Sequence, residues 1–215
     1  MQNRFFKWIF LLCLLSSSAL YAKKQFVPIV IDDIVVMVSY TKTIPKPIHH
    51  TGKLKKTGQT KSYDARGNEV TDGSIKDDGY YQKGVTPNYS RANEVVTDHI
   101  TGLQWQDNAD AKTITEYWAG VQWQEAKDYC AALELGGYSD WQLPNRKELE
   151  GLIDYGRTHP AINPVFINIE YHYWSSTTRA GDSDFAWAVS FRYGWNSYFR
   201  KHSRDHVRCV RAGGN

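Results

Sequence analysis

Seven of the eight tryptophans fall between Trp105 and Trp195, and that clustering limits the fold more than any other feature of the chain. Indole rings carry large apolar areas, so a segment holding seven of them needs an interior that takes up most of them. With fourteen tyrosines and eight phenylalanines, aromatic residues make up 14% of the 215 residues. Such a composition excludes an intrinsically disordered chain, a collagen-like repeat and a multi-span membrane protein. It predicts one folded domain with appendages.

The eighth tryptophan, Trp8, sits in a different context. Arg4 and Lys7 precede the apolar run Trp8 to Leu15, which leads through three serines to Ala19 and Ala22. A basic start, a short apolar core and small residues at a cleavage region are the pattern of a secretory signal peptide, here over residues 1–22. The run is shorter than the roughly 20 residues that span a bilayer. A retained anchor is the competing reading. Lipidation of Cys13 is disfavoured, because Phe10, Leu11 and Leu12 offer no small residue for cleavage. Removing the leader takes away two basic residues and no acidic one, which leaves 24 basic against 23 acidic side chains. The excess charge therefore belongs mostly to the leader and predicts no nucleic-acid role, and with the leader's short apolar run removed no membrane span is expected after cleavage. Cys13 leaves too, and Cys130 and Cys209 remain in an exported chain, where disulfides persist. One bridge is expected, with two buried thiols as the alternative.

Residues 23–56 read as an N-terminal strand and a basic linker. Phe26 to Tyr40 is rich in Val and Ile and interrupted by Asp32 and Asp33, the pattern of one strand or a pair of short ones. Thr41 to Lys61 has no acidic residue and carries Lys42, Lys46, Lys53, Lys55, Lys56 and Lys61. Pro45, Pro47 and Gly52 argue against regular structure there, so the segment reads as a solvated linker, with a polyanion-binding arm as the functional alternative. From Ser62 to Tyr89, Gly67, Gly73 and Gly79 each follow a turn-forming residue and predict short hairpins. Asp64, Asp72, Asp77 and Asp78 read as turn formers, since their spacing does not fit an EF-hand loop.

Beyond Gly120 the periodicity changes. Trp123, Ala126, Cys130 and Leu133 recur at helical spacing, Gly136-Gly137 supplies a stop, and Cys130 is expected to face the core. A second helix should start after Asn145, with Glu148 completing a capping box and Leu149, Leu152 and Ile153 buried, and run to about Tyr155-Gly156. HYWSST and DFAWAVSF read as strands, Tyr193-Gly194 as a hairpin turn and DHVRCVR as a last strand, with Val207, Cys209 and Arg211 on one face.

Five ordered blocks are distinctive as a set: TGLQWQDN at 101–108, GGYSDWQLPNRKELEGLIDY at 136–155, YWSST at 173–177, AWAVSF at 186–191 and VRCVR at 207–211. Together they resemble the family named for the C-terminal domain of the collagen-like adhesin of Legionella, found in exported bacterial proteins. TGQTKSYDARGNEVTDGS and DDGYYQKG resemble the family's lead-in, so the likeness covers residues 57–213. The resemblance implies an α+β, C-type-lectin-like domain with two helices, a small twisted, mainly antiparallel sheet and long loops. It also implies a disulfide between the first helix and the last strand, the places of Cys130 and Cys209. The calcium-dependent sugar site of true C-type lectins is not carried over, because the only nearby tripeptide, Leu143-Pro144-Asn145, sits at a helix start.

The chain shows no GxSxG elbow, P-loop, dinucleotide fingerprint or HExxH, and it lacks the active cysteine pair of the formylglycine-generating enzymes that share the broad fold. No catalytic residue, cofactor or metal is assigned. His202 and His206 would share one face of a strand, but two histidines are too few for a closed zinc site. A binding role is the expectation. Arg192, Trp195, Tyr198, Arg200, Lys201 and Arg204 are the candidate ligand-binding residues, within a run that also holds Tyr193, Phe199, Arg208 and Arg211. Rings stack on sugars and basic groups pair with sulfate or carboxylate, so the mix suits an anionic glycan or envelope polymer. Aromatic core and solvated strand edges are the structural alternative. Trp105, Trp123, Trp141, Trp174 and Trp187 read as core, Trp195 as exposed. The expectation is thus an exported, non-enzymatic adhesion module, periplasmic or at the cell surface. The alternative is a structural protein-interaction domain of the envelope, whose N-terminal strand pairs with a partner by edge addition.

Overall fold

A computed structural model describes residues 22–31, 34–43, 53–108, 120–167 and 171–213. The leader up to residue 21 and the linker from 44 to 52 lie outside these residues. The chain divides into two units, Met1–Ile44 and Pro45–Asn215. In the first, β1 (Ala22–Ile31) and β2 (Ile34–Thr43) pair antiparallel, from Ala22 opposite Thr43 to Ile31 opposite Ile34. Each strand is ten residues long, so the Val/Ile run is a pair of strands that reaches past both predicted ends.

The second unit is mixed α and β, and its named strands all pair antiparallel. It opens with the small hairpin β3 (Ser62–Tyr63) and β4 (Glu69–Val70) and the one-turn helix α1 (Asp78–Tyr81). β5 (Tyr89–Ala92), β6 (Val95–Asp98) and β7 (Leu103–Gln106) follow, then helices α2 (Trp123–Ala132) and α3 (Arg146–Glu150). β8 (His172–Thr178), β9 (Phe185–Ser190), β10 (Trp195–Arg200) and β11 (Val210–Ala212) complete it. A four-stranded sheet has the order β11-β7-β6-β5 and a three-stranded sheet the order β10-β9-β8.

Local chemistry explains most of these elements. Asp64 accepts hydrogen bonds from the main-chain N–H groups of Arg66 and Asn68 and turns the β3–β4 hairpin, with Gly67 at φ +83°. Gly79 does not turn a hairpin as expected. It lies inside α1, capped by Asp77, and a Cβ there would meet the Lys61 carbonyl oxygen at 2.0 Å, so glycine is required by close packing. Asn145 and Glu148 form the predicted capping box: Glu148 N–H donates to Asn145 Oδ1 at 3.0 Å and Asn145 N–H to Glu148 Oε2 at 2.8 Å. α3 is shorter than predicted, because Gly151 ends it, yet Leu152 and Ile153 beyond the end are still buried.

Two buried clusters make the core. One gathers Trp105, Leu149, Leu152, Ile162, Tyr173, Phe191 and Val210; the other gathers Ala126, Trp141, Trp174, Ala186, Ala188 and the disulfide Cys130–Cys209. The bridge joins α2 to the segment entering β11 across 79 residues. Closing a loop of that length stabilises a fold by about 4.5 kcal/mol in the chain-entropy model.

The last segment departs from the predicted alternation. His206 to Arg211 are buried without a break, since both sides are covered. Arg208 pairs with Asp107 at 2.8 Å, and Arg211 with Asp140 at 2.6 Å. Lys55, assigned to the solvated linker, is also held inside: its Nζ donates to Asp98 Oδ2 at 2.8 Å and to the Tyr89 hydroxyl at 2.9 Å. Lys61 pairs with Glu69 at 2.6 Å.

Candidate ligand-binding surface

The β9–β10 hairpin places most of the candidate residues. Gly194, at φ +76° in its turn, packs so closely that a Cβ would meet Ile153 Cγ2 at 2.8 Å. The register sets Tyr198 opposite Trp187, Arg200 opposite Phe185 and Asn196 opposite Val189. Directly opposed residues share a face, so Phe185, Trp187, Tyr198 and Arg200 stand on one side of the sheet. Ala186, Ala188 and Phe199 lie on the other, where the alanines are buried and Phe199 packs against Trp174. β10 is an edge strand, with β9 as its one neighbour in the sheet.

Rings and guanidinium groups alternate over the outer side. Tyr198 meets Trp187 edge-on at 5.4 Å and Phe185 at 5.9 Å between centroids. The Arg179 guanidinium lies 4.1 Å from the Tyr198 ring, Arg200 5.0 Å from Phe185, and Arg146 4.6 Å from Trp187. Such contacts are each worth about 0.5–1 kcal/mol at exposed sites. They restrain the guanidinium groups beside the rings. Arg146 shares its charge with Glu150 at 3.2 Å, and Arg179 approaches Asp182 at 4.0 Å. Arg200 has no carboxylate partner among the described residues. Preset guanidinium groups beside flat rings suit a ligand that presents sulfate or carboxylate on a sugar ring.

The six candidate residues do not form one patch. Tyr198 and Arg200 belong to this ladder. Trp195, 54% exposed, meets Tyr193 at a tilt at 5.0 Å between centroids, and Tyr193, in the hairpin turn, meets His159 at 4.7 Å and the Arg192 guanidinium at 5.3 Å. Lys201 lies over the Trp123 ring at 4.1 Å, and Arg204 donates to the Gly120 carbonyl at 3.0 Å. Arg208 and Arg211, counted with the basic run, are structural ion-pair members, and Phe199 faces inward. His202 and His206 do not share a surface face: His202 is exposed in a turn, whereas His206 is buried and stacked on Tyr171 at 5.3 Å.

Two tryptophans expected in the core are only partly buried, Trp123 packing against the edge of the second cluster. Trp123 and Trp187 are half-buried, and each carries a cation over its ring. The ladder residues Arg146, Arg179, Phe185 and Trp187 escaped the sequence reading. One signal for them was present: in FAWAV the large rings alternate with alanines, so one face is bulky and the other is small enough to sit close on a core.

The sequence model of the Lcl C-terminal domain matches residues 94–211. The chain belongs to the Lcl C-terminal domain family. The matched region of this Lcl domain runs from just before β6 into β11 and contains α2, α3, the disulfide and every ladder residue. The lead-in from 57 to 93, included in the sequence likeness, lies outside the match. No curated protein matches the chain.

Proposed function

We propose that the chain is an exported, non-enzymatic adhesion module with a C-type-lectin-like fold, and that it binds an anionic glycan or surface polymer without calcium. The observation that carries this reading is the ladder on β9–β10, where three guanidinium groups lie against three rings, Tyr198 on the edge strand and Phe185 and Trp187 on its neighbour. Export is supported by the signal-peptide pattern and by the disulfide, which persists in oxidising compartments. No helix among the described residues is long and apolar enough to cross a membrane. A non-enzymatic role is supported by the missing catalytic motifs and by the commitment of Cys130 and Cys209 to a bridge.

Heparin chromatography at graded salt tests the proposal. The folded chain should be retained at low ionic strength and elute as the Debye length shrinks from ~10 Å at 0.1 M toward ~3 Å at 1 M. Arg179→Ala with Arg200→Ala should elute earlier than the parent. Passage of the parent through the column unretained at low salt removes the proposal. A second reading is favoured by the first unit: a two-stranded hairpin is marginal in water by itself, and β1–β2 could gain a strand from an envelope protein. Binding of that kind should be insensitive to salt.

A further inference from the structure

We infer that a groove beside Trp123 is a binding site for a single neutral pyranose unit. This rests on the reading of the chain as a glycan-binding module and adds a second site of different chemistry to the charged ladder. The groove is open to solvent, is lined by Gln122, Trp123, Gln124, Asp184, Lys201 and His202 and has a volume of about 480 Å³. That lies inside the roughly 300–1,000 Å³ of small-molecule sites.

Three elements meet there, and main-chain bonds tie them together. Trp123 opens α2, Asp184 directly precedes β9, and Lys201 directly follows β10. The Trp123 N–H donates to the Lys201 carbonyl at 3.0 Å, and the Lys201 N–H to the Asp184 carbonyl at 2.8 Å. The indole Nε1–H is spent on the Ser175 carbonyl at 2.8 Å, which fixes the tilt of the ring. The main-chain frame of the groove and the tilt of the indole are therefore set before a ligand arrives, which lowers the ordering cost of binding.

The lining then decides the ligand. A sugar hydroxyl both donates and accepts, so a site for it needs both kinds of partner side by side. Asp184 accepts, Lys201 donates, and the glutamine amides and the His202 ring do both. Gln124 gives one N–H to Asp128 at 2.9 Å and keeps its carbonyl oxygen for another partner. Among the described residues neither Asp184 nor Lys201 has an ion-pair partner. Their formal charges cancel across the groove. A sulfated or carboxylated ring would meet the Asp184 carboxylate as a like charge, whereas an uncharged ring satisfies donor and acceptor together. The Trp123 ring, over which Lys201 and Lys127 lie at 4.1 and 4.6 Å, supplies the aromatic wall on which the C–H face of a pyranose packs once an ammonium group moves aside.

NMR titration of the disulfide-bonded chain with glucose, galactose, mannose and N-acetylglucosamine tests the assignment. At sugar concentrations on the order of 10 mM, suited to a weak single-unit site, at least one should shift the Trp123 indole resonance saturably. The shift should survive an increase in salt from about 0.1 to about 1 M, which abolishes contacts between exposed charges. Trp123→Ala should abolish binding. Asp184→Ala, at an exposed position where folding is preserved, should weaken it by about tenfold or more. If none of the four sugars moves the resonance, or if Asp184→Ala binds as tightly as the parent, the groove is not a sugar site. Heparin retention without sugar binding overturns the groove alone, and sugar binding without heparin retention overturns the ladder alone.

Discussion

Trp141 and Trp195 carry the same side chain to opposite ends of the burial range, at 1% and 54% exposure. Replacing buried Trp141 with Ala should cost about 3–5 kcal/mol, whereas Trp195→Ala, which loses one ring contact at the hairpin turn, should cost less than about 1 kcal/mol. Paired urea melts of the two variants check this, and equal losses would make Trp195 a core residue. Trp195 was readable as exposed from its place beside Gly194 in a charged hairpin. Trp123 and Trp187 were not, because a ring on a strand or helix reads as core until the register shows which neighbours lie opposite. Asp205 gives a residue-scale pH effect. Burial pushes its carboxyl from 3.8 up to about 7. Between those values the folded chain holds a proton that the unfolded chain has released, so stability falls as pH rises from about 4 to about 7 and then levels. Asp205→Asn should remove this slope, and melting temperatures of both chains at pH 5 and pH 8 measure it. A parent no more sensitive than the variant over that interval would show that the buried carboxyl is ordinary.

At the level of elements, the signals that came through were those with a local cause. The capping box of α3 was legible because Asn145 and Glu148 satisfy each other's main-chain donors within one turn. Asn145→Ala should therefore cost about 1 kcal/mol, readable as a drop in the urea midpoint at constant slope. The α2 stripe was legible for the same reason, and it brought Cys130 inward as expected. What failed had a distant cause. Gly79 resembled a turn glycine, but its role is to let the Lys61 carbonyl approach. The ladder depends on pairing between β9 and β10 and on Arg146 arriving from α3, and no short window of sequence contains both. The buried pairs Arg208–Asp107 and Lys55–Asp98 join residues 101 and 43 positions apart. Composition showed only that these charges exist.

For the whole molecule, the Lcl domain divides basic residues into two populations that sequence counts merge. Arg208, Arg211 and Lys55 are locked into the interior, whereas Arg179 and Arg200 lie on the open ladder. Salt should discriminate between them: retention on heparin should fall with ionic strength while the melting temperature changes little, because buried pairs are poorly screened. Replacing Cys130 and Cys209 together by Ser should remove up to about 4.5 kcal/mol, and unfolding under reducing conditions should match that variant. A native-like melt in the double variant would assign the stability to the two aromatic clusters instead. The bridge also orders events in time. Cys130 has no partner until a further 79 residues have been delivered, and β11, which carries the chain on from Cys209, must still find β7 across most of the domain. Under the proposed export, a chain threaded through a channel from its N-terminus presents most of the domain before β11 and the Cys130–Cys209 bond arrive together. Maturation is then paced by delivery and oxidation of that final segment, and the interval before closure is when proteases and stray thiols have access.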